Sequence, residues 1–218
     1  MDGRGASSSR GRLGLALALS LAAVVAWSAI EPTDRLIWWM EAAPALIAAL
    51  VIAAFWRRFP LTDLLLVLAW AHAAILLVGA HYTYSLVPLG DWGREAFGFE
   101  RNHYDRLGHL AQGFVPAIAA RELLLRLTPL RRGGWLVAIV ALSCLGISAL
   151  YELIEWLAAE LVADGAVAFL AAQGDVWDAQ KDMAFAGIGA LAALLLLGRL
   201  HDRRLAALPA APRANGGS

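Results

Sequence analysis

Apolar residues along this chain come in long runs broken by short polar connections. Six runs approach the length of a membrane crossing, near 13–30, 36–55, 61–86, 104–127, 134–158 and 181–200. A hydrocarbon core of roughly 30 Å takes about 20 apolar residues in a helix. The pattern therefore predicts an all-α fold, a polytopic membrane helix bundle of about six transmembrane helices. Residues 13–204 are expected to form a single transmembrane domain. The Ser/Gly/Arg-rich residues 1–12 and the Ala/Pro/Gly-rich residues 205–218 are expected to be disordered tails. The first run follows Arg4, Arg10 and Arg12, as the h-region of a signal peptide would. Ala26-Trp27-Ser28 is a poor cleavage site, however, so a retained helix is expected.

Basic residues in the connections orient the bundle, because short cytoplasmic loops are enriched in them. The N-terminal tail carries Arg4, Arg10 and Arg12, and the second connection Arg57 and Arg58. The fourth carries Arg126, Arg131 and Arg132, and the C-terminal tail Arg199, Arg203, Arg204 and Arg213. The first connection has Arg35 as its only base, the fifth has Lys181, and the third, with Arg94 and Arg101 among Asp91, Glu95 and Glu100, is ambiguous by itself. This alternation predicts both termini in the cytoplasm and the third and fifth connections outside. Trp92, Phe97 and Phe99 in the third connection suit a membrane interface, as do Trp38, Trp39 and Trp156. The apolar piece 166–172 is too short to span and is expected at the interface or as a re-entrant segment.

With that orientation the polar residues of the runs share one leaflet. Asp105, His109 and Gln112 are spaced i, i+4, i+7 and fall on one helical face, with Arg106 beside them. Glu152 and Glu155, next to Tyr151, are spaced i, i+3. Asp175, Asp178 and Asp182 repeat the i, i+3, i+7 spacing if their helix starts early, with Lys181 alongside. Ionisable residues inside a membrane usually face a bundle interior or wet cavity and mark function. Asp105, Asp178 and Asp182 also suit the N-termini of helices, where aspartate caps free N–H groups. Glu152 and Glu155 lie near a helix C-terminus, where the dipole disfavours negative charge. They need a proton, a cationic partner or a metal, and Arg106 and His109 are the candidate partners. Glu41 could reach the outer interface, His72 could bond to a backbone carbonyl, and Arg121 with Glu122 reads as a structural pair or as side chains that snorkel to the interface.

Composition agrees with a membrane location. Hydrophobic residues make up 60% of the 218-residue chain, against 17% charged, and mean hydropathy is +0.62. Net charge is zero, so the balance gives no sign of a nucleic-acid partner. Membrane lipids are the expected partners, and protein partners are left open. The single cysteine, Cys144, excludes an internal disulfide and a cysteine-based zinc site. No H-E-x-x-H, G-x-S-x-G or P-loop pattern is present.

Four ordered motifs, YDRLGHLAQGF, ARELLLR, YELIEW and QGDVWDAQKDMAFAGIGA, together resemble the YjdF family of bacterial inner-membrane proteins. The resemblance implies a multi-pass bacterial inner-membrane protein and supplies no mechanism. A weaker likeness is to VanZ-like membrane proteins, which are linked to glycopeptide resistance. Asp105, Arg106 and His109 match the start of that pattern. Glu152 matches its E-x-x-Q element, with Glu155 in place of Gln. Asp178, Asp182 and Gly189 fit its last helix loosely, with Ala186 near the expected Asn.

The expected role is that of an inner-membrane protein with an acidic site in the outer leaflet, used for binding or transport of a lipid or another cell-envelope component. The alternative is a metal-assisted enzyme acting on lipid-linked phosphates. It would use a divalent metal held by His109, Glu152, Glu155 and Asp178.

Overall fold

The computed structural model of the protein describes residues 3–162 and 172–208. The described residues form seven α-helices and no strand: α1 (Gly3–Ser28), α2 (Arg35–Phe55), α3 (Asp63–Tyr82), α4 (Pro88–Phe97), α5 (Tyr104–Leu127), α6 (Gly134–Val162) and α7 (Asp178–Ala206). A 3-10 turn, Tyr84–Leu86, links α3 to α4. The short apolar segment expected over 166–172 lies outside the described residues except for Ala172, as does the tail from 209 onward.

Five helices, α1, α2, α3, α6 and α7, are long and apolar enough to cross a membrane. The sixth predicted crossing, α5, has 24 residues, about 36 Å at 1.5 Å per residue. It also carries Asp105, Arg106, Arg121, Glu122 and Arg126. These charges are tolerable because α5 is the central post of the bundle, packed against α3, α6 and most extensively α7.

Local chemistry sets the helix ends. The Asp34 Oδ1 accepts the N–H groups of Leu36 and Ile37 at 2.8 and 2.9 Å and starts α2. The Thr62 hydroxyl accepts the N–H of Leu65 at 3.2 Å and starts α3. The pattern of apolar runs predicts a plain connection where α4 forms. Pro88 at its first turn and Gly98 at its end, with φ +68°, make it a helix of ten residues. Leu89, Trp92 and Phe97 on α4 are exposed, as suits a helix lying at a membrane surface. Trp38 departs from the expected interfacial belt. It is buried, with Nε1–H donating to the Ser28 hydroxyl at 3.3 Å.

Three apolar clusters form among the described residues, a small one of Tyr84, Val87 and Tyr104 and two larger ones whose separation shapes the site. One gathers Leu65, Ala117, Ile118, Val140, Cys144, Ala190 and Ala193 where α5, α6 and α7 meet the start of α3. The other gathers Trp38, Ala42, Ala45, Ala73, Leu77 and Ala80 between α2 and α3. At the α5–α7 crossing the backbones nearly touch. A Cβ on Gly113 would lie 1.8 Å from the Ala186 carbonyl oxygen, and one on Gly189 2.1 Å from that of Leu110.

The bundle end that holds the C-termini of α2 and α5 carries a buried ionic network. The Glu122 carboxylate accepts from Thr62 (N–H 3.1 Å, Oγ1 2.8 Å), Arg126 Nη1 at 2.7 Å and His201 Nε2 at 3.1 Å. Arg121 donates to His201 Nδ1 at 2.9 Å and to Asp202 at 2.7 Å. Arg121 and Glu122 are therefore structural, but they hold other helices rather than each other. This network ties the start of α3 and the end of α7 to α5.

Candidate functional site

The opposite end of the bundle gathers the acidic residues. It is formed by the start of α2, the end of α3, the start of α5, the end of α6 and the start of α7. His109 is the hub. Its Nδ1 meets the Gln112 side-chain oxygen at 3.0 Å, so Nδ1–H donates to that oxygen and Nε2 is left to face the carboxylates. Nε2 lies 3.6 Å from Asp105 Oδ1, one helical turn earlier, and 3.6 Å from Glu152 Oε1 on α6. Both gaps exceed hydrogen-bond length. Asp105, His109 and Asp182 are buried, and each presents a ligand atom within 4.8 Å of the others.

Several of these groups have no hydrogen-bond partner among the described residues. They are Glu152 Oε1, Asp182 Oδ1 and both carboxylate oxygens of Glu41. Asp182 is 2% exposed and Glu41 is 1% exposed. Two carboxylates about 4 Å apart repel by about 4 kcal/mol at an effective dielectric of roughly 20. The cluster therefore calls for bound protons or a cation.

The neighbouring cations serve a different contact. Arg101 donates to both oxygens of Asp178 and to the Ala172 carbonyl. Arg106 donates to Asp175 at 2.8 Å, and Lys181 reaches the same Asp175 oxygen at 2.5 Å. Gln173 exchanges two hydrogen bonds with the Asn102 backbone, at 3.0 and 2.9 Å. Together these bonds clamp residues 172–178 onto the start of α5. The Lys181 ammonium, then the Trp177 N–H and Arg106, hold the Asp175 carboxyl below its ordinary value. Burial, then Arg106 and Arg101, holds the His103 imidazole below its own.

Below the cluster lies a cavity of about 740 Å³ between α2, α3, α5 and α6. Glu41, Tyr84, Asp105, His109, Gln112, Tyr151 and Glu155 line its polar head. The rest is apolar and ends at Phe55, Phe59 and Leu127, with His72 part-way along. On α6, Ile147, Tyr151 and Glu155 recur at every fourth position and face the cavity, while Glu152 turns toward His109. Pro44 on α2 and Pro116 on α5 both line it. Lacking an N–H, they leave the Met40 and Gln112 carbonyls without their usual helical donors. Val51, Phe55, Leu123 and Ile147 line the cavity and are also exposed on the bundle's surface. The cavity therefore opens sideways.

Residues 13–203 match the family described as "Predicted membrane protein (DUF2238)". The chain belongs to this family. It is similar to the inner membrane protein YjdF of Escherichia coli (strain K12), with 46% identity over 188 residues, which cover 86% of this chain and 90% of YjdF. No solved structure matches. The comparisons do not show the VanZ-like likeness. This DUF2238 protein is a multi-pass inner-membrane protein, and lipid surrounds it.

The geometry redistributes the residues expected at the site of this DUF2238 member. Asp105, His109, Gln112, Glu152 and Asp182 come together, and Tyr151 and Glu155 line the adjoining cavity. Arg106, expected opposite the glutamates, instead pairs with Asp175. Asp178, expected as a metal ligand, is taken by Arg101. Among the described residues, the group whose ligand atoms converge is Asp105, His109 and Asp182 rather than the expected four. Glu41 faces the cavity, not the interface, and His72 Nε2 has no hydrogen-bond partner among the described residues. Arg101 sits in the connection between α4 and α5, where no helical periodicity marks it as a site residue.

Proposed function

We propose that the protein binds a membrane lipid. One hydrocarbon chain lies in the cavity, and the headgroup rests against Glu41, Asp105, His109 and Glu155. The observation that carries this reading is the polarity gradient of a single cavity, polar at its head and apolar along its length. From Glu41 to Phe55 the cavity wall follows α2 for about 21 Å at 1.5 Å per residue. That exceeds one leaflet, about half of a hydrocarbon core of roughly 30 Å. The volume falls within the range of ordinary ligand sites, roughly 300–1,000 Å³.

Mass spectrometry of the purified protein, with extraction of bound lipid, tests the reading. Wild type is expected to retain lipid at near-stoichiometric level. Ala48→Trp and Ala69→Trp narrow the apolar part and are expected to weaken retention by about tenfold, the equivalent of 1.4 kcal/mol. Folded wild type without bound lipid, or variants that retain it fully, would sink the proposal.

The basic connections favour both termini in the cytoplasm and the acidic end in the outer leaflet. Val176, 85% exposed, tests this. In a Cys144→Ala background, Val176→Cys is expected to react with an impermeant maleimide added outside the inner membrane. Labelling only after the cytoplasmic face is opened would reverse the topology.

The Asp105–His109–Asp182 group favours a second reading, metal-assisted chemistry on a lipid-linked phosphate. A divalent ion there would polarise a phosphoryl oxygen. Release of phosphate from such a lipid by wild type, lost in His109→Gln, separates this reading from binding alone.

A further inference from the structure

We infer that Asp105, His109 and Asp182, with Glu152 beside His109, form a binding site for one divalent transition-metal cation, Mn²⁺ or Zn²⁺. The site would attach a phosphate-bearing headgroup at the head of the cavity. The headgroup clause rests on the lipid-pocket reading above; the ion site itself does not.

The donor arrangement comes first. His109 Nε2 faces two carboxylate oxygens, each 3.6 Å away. Direct hydrogen bonds do not close those gaps. Two ligands each about 2.0–2.2 Å from one ion stand about 3–4 Å apart, which the observed separations match. The third carboxylate, Asp182, brings an oxygen within 4.8 Å of both His109 and Asp105. The three donors come from two helices, α5 and α7, with Glu152 of α6 beside them, so the site exists only in the folded bundle.

The second line is independent of the clustering. Asp182 is 2% exposed and its Oδ1 has no partner among the described residues. Glu152 Oε1, beside His109, has none either. A buried carboxylate oxygen without a donor costs free energy that a bound cation removes, as a proton also does. Glu41, 1% exposed with both oxygens unpartnered, looks into the cavity that Asp105 and His109 line.

The third is the outer contact of the histidine. Gln112 accepts from Nδ1–H at 3.0 Å and turns Nε2 toward the carboxylates. Metal-binding histidines are usually oriented in this way. One imidazole among carboxylates favours a transition-metal ion over Mg²⁺ or Ca²⁺, which prefer all-oxygen sets. Asp105 and His109 also line the cavity, so an ion they hold lies at its head. A phosphate there would meet the cation before it met the carboxylates that otherwise repel it.

The experiment uses the full chain in detergent, stripped with EDTA and checked by gel filtration. Mn²⁺ binding is followed by electron paramagnetic resonance of the free ion, and Zn²⁺ by elemental analysis after desalting. Wild type is expected to retain one equivalent. Asp182→Asn and His109→Gln should weaken binding by about 100-fold, and Gln112→Ala, a positioning change, by about tenfold. Glu95→Gln, an exposed carboxylate on α4, should bind as wild type does. Folded wild type that holds neither ion overturns the site, whatever the variants do, as does unchanged binding in folded Asp182→Asn and His109→Gln.

Nanodiscs test the headgroup clause. Loading with Mn²⁺ should raise capture of phosphatidic acid but not of diacylglycerol, while inorganic phosphate should compete. Equal capture with and without Mn²⁺ overturns the clause. Lipid retained by a protein that binds no ion leaves the pocket standing without the metal. Ion bound by a protein that retains no lipid leaves the metal standing without the pocket.

Discussion

Gly113→Ala is expected to lower the apparent Tm in detergent by about 5–10 °C, the equivalent of about 3 kcal/mol for a chain of this size. A methyl group at that position would sit 1.8 Å from the Ala186 carbonyl oxygen. Real Cβ atoms essentially never come closer than 3.0 Å to a neighbour. The obstacle is helix backbone, not a side chain that can rotate away, so α5 and α7 must separate by more than an ångström. Alanine has the higher helix propensity, by about 1 kcal/mol, and that gain is too small to offset the clash. Gly189→Ala should behave alike, since its methyl group would lie 2.1 Å from the Leu110 carbonyl oxygen. Gly146→Ala is the control: nothing lies within 4 Å, and its Tm should stay level or rise. The same separation would draw Asp182 away from Asp105 and His109, so Mn²⁺ binding should weaken with the loss of Tm. A Gly113→Ala protein as stable as wild type would mean that the helices are not in contact there.

The second large effect belongs to the opposite end. Glu122→Ala is expected to cost about 3–5 kcal/mol, as removal of one partner from a buried ionic network generally does. Glu122 is fully buried. Its loss leaves the Thr62 N–H, the Arg126 guanidinium and the His201 Nε2–H without their acceptor. Arg126 keeps the Pro60 carbonyl at 2.7 Å, so the damage centres on Thr62 and His201. Thermal melts should fall by about 10 °C. Glu122→Gln keeps an acceptor oxygen and should fall about half as far. Lipid retention by the fraction that remains folded should be normal, because the cavity head lies at the other end of the bundle. A normal melt for Glu122→Ala would show that the network contributes nothing to stability.

Hydrophobic length located the helices well, because a membrane helix must satisfy its own backbone over a fixed thickness. The run at 104–127 coincides with α5, and that at 36–55 with α2 to within one residue. Length failed for α4, whose ten residues are too short and too polar to announce themselves. Helical phase placed Asp105, His109 and Gln112 on one face, which follows from 3.6 residues per turn alone. It did not show which cation faces which carboxylate. Arg101 and Asp178 are 77 positions apart in the chain, and no local rule joins them. The inward aim of Glu41 depends on the rotation of α2, fixed by Trp38, Ala42 and Ala45 against Ala73, Leu77 and Ala80. The cavity was not legible at all. It arises where two cores fail to merge, a property of packing that no single segment carries.

The sideways opening of that cavity, past Val51, Phe55, Leu123 and Ile147, determines where a ligand's selectivity has to come from. A chain that enters through it leaves one hydrocarbon medium for another. Lipid tails are as apolar as leucine, so the transfer yields little of the roughly 25 cal/mol per Å² gained on leaving water. Abundant bilayer lipids compete for the same space at very high local concentration, with tails that the cavity wall reads as nearly equivalent. Discrimination among them falls to the few polar side chains at the head, where one unpaired charge or one missing donor is worth more than several methylenes.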